Sequence, residues 1–328
     1  MKKCPKCHKN IPSNAKVCPY CGTPQSGYQP MKRTPKRKYA FIYPILIIAL
    51  VFLPMGISYF FAFNTFPLIN AVVYSLTDSR GFGDFNWVGF QNYFDMFKDS
   101  RILNSYLFTF KFAITATIVV NVISICLAVL LNSKIKGKSF FRGLYFLPNI
   151  LGGLVVGYVF NFFFTFILPS FGKLIGNEFL STSLLSNEST AWVAIIICTA
   201  WQAIAFNTII YISGLQTIPE DVYEAAAIDG AGPWQKFWHI SFPLIAPFFT
   251  INMVLCMKNF LMAFDQIVAM TGGGPNSSTE SISYLIYKTG LSGSQFGYQC
   301  ANSVIYFIVI VLISVFQMKF LNKREVQL

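Results

Sequence analysis

Four of the eight cysteines in this 328-residue chain form two CxxC pairs separated by ten residues, in CPKCHKNIPSNAKVCPYC at residues 4–21. Each CxxC turn can aim two thiolates at one point, and two such turns complete a tetrahedral S4 site from Cys4, Cys7, Cys18 and Cys21. Proline after the first cysteine of each pair, and Gly22 after the last, suit tight knuckle turns. A redox dithiol needs only one pair, so the spacing points to a structural Zn2+. His8 beside Cys7 could substitute as a ligand, but four thiolates already fill the shell. The other four cysteines (Cys126, Cys198, Cys256, Cys300) lie singly in apolar runs, where the residue is usually a small packing group.

A second constellation spans residues 219–243, PEDVYEAAAIDGAGPWQKFWHISFP. Thr217 can cap a helix, Pro219 suits a first turn, and Glu220 and Asp221 favour the positive end of the helix dipole. A short helix is predicted through Ile228, with Gly230 placed to stop it. Pro233 then opens a second helix carrying Trp234, Phe237 and Trp238, and Pro243 closes the unit. Three successive alanines leave a smooth face for close approach by another protein; an ordinary interhelical loop is the plainer alternative. Residues 4–21 also resemble the short zinc-ribbon modules found at the ends of many prokaryotic proteins. Such a module is too small to hold a core without its metal. Its thiols imply a reducing compartment, and so a cytosolic N-terminus.

What positions these groups is a membrane protein. Hydrophobic residues make up 54% of the chain, charged residues only 12%, and there are 35 phenylalanines. Apolar runs near Ala40–Phe63 and at 105–132, 143–166, 190–213, 244–266 and 300–320 each approach or exceed the ~20 residues a spanning helix needs. Six spans are predicted, the first followed by an extension broken near Pro67. Ten Lys/Arg precede Tyr39, four lie at 134–142, Lys236 lies in the 214–243 loop and three near the C-terminal end. Five (Arg80, Lys98, Arg101, Lys173, Lys288) fall on the opposite side, which puts both termini and the 214–243 loop in the cytosol. That loop carries four carboxylates and one lysine. The basic segment before Tyr39 fits contact with membrane lipid rather than nucleic acid. Residues 137–139 read GKS, but a phosphate-binding P-loop needs glycine where Asn132 stands, so no ATP site is expected.

Polar residues inside the spans matter because such groups usually face protein or a water-filled cavity. Lys111, near an outer span end, can snorkel. Asn252, Lys258 and Asn259 lie deeper; Lys258 either pairs with Asp265 or snorkels, or the set lines a solute path. Pro148, Pro243 and Pro247, with Gly152, Gly153 and Gly157, suggest bent or closely packed helices. Gly272 to Pro275 begin an irregular outer loop.

Taken together, EAAAIDGAG, FWHISFPLIAP, MTGGGPNSSTE, YLIYKTGL and FGYQCANSV resemble the maltose-type sugar permeases, the membrane subunits of carbohydrate ABC importers. The likeness covers about residues 40–321. It implies an all-α membrane protein with the six-helix ABC-importer permease fold and a coupling loop at 214–243; the zinc ribbon (1–25), a basic linker (26–39) and a cytosolic tail (322–328) lie outside the likeness. It further implies half of a translocation path, a second and different permease chain, two ATP-binding subunits, and an extracellular or periplasmic solute-binding protein. Hydrolysis of ATP then belongs to the partner, and the chain itself is no enzyme. Glu224, Ala225, Ala226, Asp229 and Gly230 are the coupling positions that the resemblance implies, and Asn252, Lys258 and Asn259 are expected near the path. The competing reading is a zinc-ribbon membrane regulator or scaffold that transports nothing. An intramembrane metalloenzyme finds little support, because the two histidines, His8 and His239, form no HExxH.

Overall fold

A computed structural model describes residues 1–25, 54–132, 143 and 147–323. The basic segments at 32–38 and 134–142, the GKS tripeptide, most of the predicted first span and the last five residues lie outside that set. The chain divides into two compact units, Met1–Phe66 and Pro67–Leu328.

In the first unit, β1 (Lys2–Lys3) pairs antiparallel with β2 (Asn10–Ile11), placing Lys2 opposite Ile11. Cys4, Ile11 and Cys18 are buried together, a core far too small to stand without further support. Helix α1 (Pro54–Tyr74) contains residues of both units. It carries a π-helical turn at Phe61–Thr65, closed by the Phe66 N–H bonding back to the Phe61 carbonyl. That register slip immediately precedes Pro67, which has no N–H to donate, so the break expected there does not occur.

The second unit is helical: α2 (Gln91–Met96), α3 (Ser100–Asn132), α4 (Gly153–Leu174), α5 (Glu188–Leu215), α6 (Glu220–Ile228), α7 (Pro233–Leu244), α8 (Ala246–Leu261), α9 (Asp265–Met270), α10 (Ile282–Tyr287) and α11 (Phe296–Asn322). By length and apolar composition α1, α3, α4, α5 and α11 can each cross a membrane, and α7 with α8, bent by 71° at a short break, makes a sixth. The all-helical expectation holds, with five candidate spans among the described residues, or six if the bent α7–α8 pair is one span. The third candidate span is Gly153–Leu174, preceded by a helical stretch at 147–150 and a break at Gly152 (φ −62, ψ 142) that falls inside the predicted 143–166 run. The fifth bends where Ile245 leaves helical geometry, whereas Pro243 sits in the first turn of the helical segment after a π-turn and closes nothing.

Local chemistry starts these helices. The Asp99 carboxylate accepts the Arg101 N–H at 2.9 Å at the head of α3, and Asn187 Oδ1 accepts the Ser189 N–H at 3.0 Å at the head of α5. Packing follows from small residues: Ala113 and Ala116 of α3 and Ala191 and Ala194 of α5 are fully buried, and these two helices lie along one another. Helix α9 presses on α4, where a Cβ added at Gly157 would lie 2.6 Å from that of Ala269. Cys198, Cys256 and Cys300 are buried packing residues, whereas Cys126 is exposed.

Candidate functional site

Helices α6 and α7 form the loop between α5 and α8. Pro219 is the N-cap of α6 in extended geometry; Thr217, expected to cap it, instead donates its hydroxyl to the Gly214 carbonyl at 2.7 Å and finishes α5. The end of α6 is a Schellman motif, in which the Gly230 N–H bonds to the Ala227 carbonyl (3.1 Å) and the Ala231 N–H to the Ala226 carbonyl (2.9 Å). Gly230 sits at φ +76, and a Cβ there would meet no atom within 4 Å. Backbone conformation, not crowding, therefore demands glycine.

The loop is tied to itself through Tyr223. Its hydroxyl shares a hydrogen bond with Ser241 Oγ at 2.9 Å, and its carbonyl accepts Lys236 Nζ at 3.5 Å. The single lysine of the loop is thus half-buried against backbone, while Glu220, Asp221, Glu224 and Asp229 are all exposed. Of the five positions expected to couple, Glu224, Ala225, Asp229 and Gly230 are exposed and Ala226 is buried at 6% exposure. Two apolar side chains missed as surface features, Ile228 at 87% and Trp234 at 73% exposure, stand on the same loop. An acidic, small-faced helix with one protruding isoleucine is suited to a basic protein cleft.

The expected path residues do not form one face. Asn252 is wholly buried, donating to the Asn207 carbonyl at 3.1 Å. It belongs to a polar seam in which Cys256 Sγ donates to Asn207 Oδ1 at 3.0 Å and the Tyr211 hydroxyl to Asn121 Oδ1. Lys258 and Asn259 are exposed on this chain. No Lys258–Asp265 pair forms: among the described residues the one salt bridge joins Arg101 and Glu280. Lys111 lies over the Trp192 ring, 3.9 Å from its centroid.

Arg101–Glu280 was not foreseen. Nε and one terminal nitrogen of Arg101 each donate to a Glu280 oxygen at 2.8 Å, and the Glu280 side chain is only 1% exposed. The pair holds the loop that begins at Gly272 against the start of α3. Gly273 in that loop is left-handed (φ +82), with the Tyr284 ring 2.8 Å from where a Cβ would be. The available signal was two opposite charges near span ends assigned to the same side of the membrane.

In the ribbon, the Sγ atoms of Cys4, Cys7, Cys18 and Cys21 all lie within 4.8 Å of one another. Cys4–Cys21 and Cys7–Cys18 stand at 3.7 and 3.6 Å. Zn–S bonds of ~2.3 Å in a tetrahedron require sulfur–sulfur edges of about 3.8 Å, so the four thiols fit the ion. The two knuckles repeat one hydrogen-bond pattern. His8 N–H to Cys4 O matches Gly22 N–H to Cys18 O (both 2.9 Å), and Cys4 N–H to Lys9 O matches Cys18 N–H to Thr23 O (both 3.0 Å). His8 (φ +56) therefore occupies the left-handed position of Gly22 and is exposed, away from the sulfurs. Backbone N–H groups of Cys7 and Lys6 hold the Cys4 thiol down to about 6, and the Thr23 hydroxyl and N–H lower that of Cys21.

Residues 121–326 match the family described as binding-protein-dependent transport system inner membrane component, and residues 3–25 match the zinc-ribbon domain. Curated relatives include the multiple sugar-binding transport system permease protein MsmF of Streptococcus mutans, 40% identical over 265 residues (80% of this chain, 91% of the relative). The probable starch degradation products transport system permease protein AmyD of Thermoanaerobacterium thermosulfurigenes is 36% identical over 262 residues (80% and 89%). The sn-glycerol-3-phosphate transport system permease protein UgpA of Rhizobium meliloti is 30% identical over 288 residues (87% and 94%). Among solved structures, a chain of a bacterial alginate ABC transporter in complex with an alginate pentasaccharide-bound periplasmic protein superposes with a TM-score of 0.73 at 20% identity. That likeness covers 86% of this chain and 96% of the other, and it is one of fold.

Proposed function

The chain belongs to the family of binding-protein-dependent transport system inner membrane components, and from that premise we propose that it is the membrane-spanning permease subunit of an ATP-driven sugar importer. The observation that carries the reading furthest is the α6–α7 loop, an exposed acidic helix sealed by a Schellman stop and bonded by Tyr223 to the segment that continues into α8. Such a lever transmits force only if it is stiff, and its end is fixed by backbone hydrogen bonds rather than by mobile side chains.

Glu224, Ala225, Asp229 and Gly230 form the surface that meets a separate ATP-binding subunit, with Ala226 packed behind them. The four exposed carboxylates select a basic cleft. Closure of two ATP-binding subunits then biases the spans α5 and α8, which the loop joins, between two arrangements. A second, different permease chain supplies the other half of the path, and a solute-binding protein delivers cargo from outside. Both termini and the loop lie on the cytosolic side. ATP enters the reaction only through the partner. Lys258 and Asn259, exposed on α8, are placed to face the path, while Asn252 supports α8 from inside the bundle. The sugar class is supported by relatives at 40% and 36% identity whose names give sugars and starch products; transport is thereby favoured over a non-transporting scaffold. Zn2+ held by Cys4, Cys7, Cys18 and Cys21 supplies fold, not chemistry, to the ribbon.

The test is uptake of labelled sugars by proteoliposomes holding this chain with its permease, ATP-binding and solute-binding partners. ATP-dependent accumulation of an oligosaccharide supports the proposal; no accumulation of any sugar bound by the cognate binding protein would reject it.

A further inference from the structure

The zinc ribbon is left unused by transport, and its surface has one chemistry. Residues 1–25 carry five lysines and no Asp or Glu. Lys3, Lys6, Lys9 and Lys16 are exposed and Lys2 is half-buried. A Zn2+ held by four thiolates carries two net negative charges, buried at the centre; the five lysines exceed them and lie outside. The repeat of the two knuckles puts Lys6 and Tyr20 at equivalent tips, each following the Cys-Pro of its pair. Tyr20 is 63% exposed, and Lys9 Nζ stands 4.7 Å from its ring centroid. A tyrosine beside a lysine is the pairing found at the headgroup level of membranes, where the ring meets the interface and the ammonium meets phosphate.

We propose that the ribbon is a membrane-surface module whose lysines and Tyr20 bind the anionic lipid headgroups of the leaflet it faces. The inference rests on the chain being membrane-embedded and on nothing about which solute it carries. Covalent attachment favours lipid over other polyanions. The fourteen residues 26–39 that precede the predicted first span reach at most about 50 Å even when fully extended. The ribbon is therefore held at high effective concentration near the bilayer, an advantage that nucleic acid free in solution does not share. Each lysine near a negative surface adds to the attraction, which fades within a Debye length.

The experiment uses the full chain in nanodiscs of phosphatidylcholine alone or with three-tenths phosphatidylglycerol. Lysines are modified with an uncharged amine reagent and read by mass spectrometry. Lys3, Lys6, Lys9 and Lys16 are expected to react about fivefold more slowly in the anionic discs at ~0.05 M salt, the difference vanishing near ~0.5 M. The double variant Lys9→Gln/Tyr20→Ser, with its zinc content unchanged, is expected to lose most of the protection at Lys3, Lys6 and Lys16. Equal labelling in both lipids overturns the proposal, as does protection that appears only when RNA is added to neutral discs. Both faces of a nanodisc carry the same lipid, so an inverted topology or a failed uptake assay leaves this readout intact.

Discussion

Arg101 and Glu280, 179 residues apart in sequence, meet in a bidentate ion pair that fastens the head of α3 to the loop preceding α10. The Glu280 side chain is almost wholly buried and the Arg101 side chain is 44% exposed, so the pair is asymmetric. Removing the arginine strands a buried charge, whereas removing the carboxylate returns a cation to water.

Arg101→Met is therefore expected to destabilise the folded chain by about 3 kcal/mol, and Glu280→Gln by clearly less. The double variant should recover part of the Arg101→Met loss. Thermal unfolding in detergent measures all three; equal losses for the two single variants would contradict a buried-charge origin.

Adjacent glycines offer a sharper contrast. A Cβ at Gly153 would lie 2.8 Å from Asp265 Oδ2, whereas at Gly152 it would meet nothing within 4 Å. Gly153→Val is expected to cost ~1–3 kcal/mol through overpacking of α4 on α9, and Gly152→Val to change stability little, in the same unfolding assay.

At Gly230 the backbone is left-handed and the surroundings are open. Gly230→Ala should weaken the end of α6 by about 1 kcal/mol, and Gly230→Asn by less, because asparagine tolerates that conformation. Sugar uptake at matched membrane abundance should fall in the order wild type, Asn, Ala. An alanine variant indistinguishable from wild type would show that α6 need not end sharply.

For the ribbon, one zinc per chain is expected by elemental analysis at neutral pH, and Cys4→Ser or Cys18→Ser should abolish it. Protons compete with the metal for thiolates. The Cys4 thiol is held below its usual value of 9.0 to about 6, so its thiolate contributes above that range and is lost on acidification. Zinc should stay bound at pH 7 and be released on acidification, as protons outcompete the metal for the four thiolates.

Features governed by neighbouring residues were legible in the sequence. The thiolate spacing, the apolar spans and the stop at Gly230 are each decided within a few residues by ligand geometry, hydropathy or backbone sterics. What escaped depends on distance or helix phase. Arg101 and Glu280 are remote in sequence, and only folding brings them together. The break before α4 falls where Gly152 and Gly153 suggested a bend, but apolar residues on both sides left no compositional edge to fix it inside the 143–166 run. Pro67 and Pro243 read as breaks, yet each follows a π-turn that absorbs the lost donor. Asn252 looked like a lining residue, but the rotation of α8 turns it onto Asn207 instead. Hydropathy gives the span and not the side.

Coupling through α6 is the central claim, and the ATPase activity of the reconstituted complex tests it most directly. Proteoliposomes containing this chain, its partner permease, the ATP-binding subunits and loaded solute-binding protein should hydrolyse ATP faster than those lacking the binding protein. The substitution Glu224→Arg places a cation where a basic cleft is expected, at an exposed site that leaves the fold intact. The variant should insert and assemble at normal levels yet lose that stimulation and uptake together. Full stimulation and uptake by the Glu224→Arg variant would contradict the coupling role of this loop.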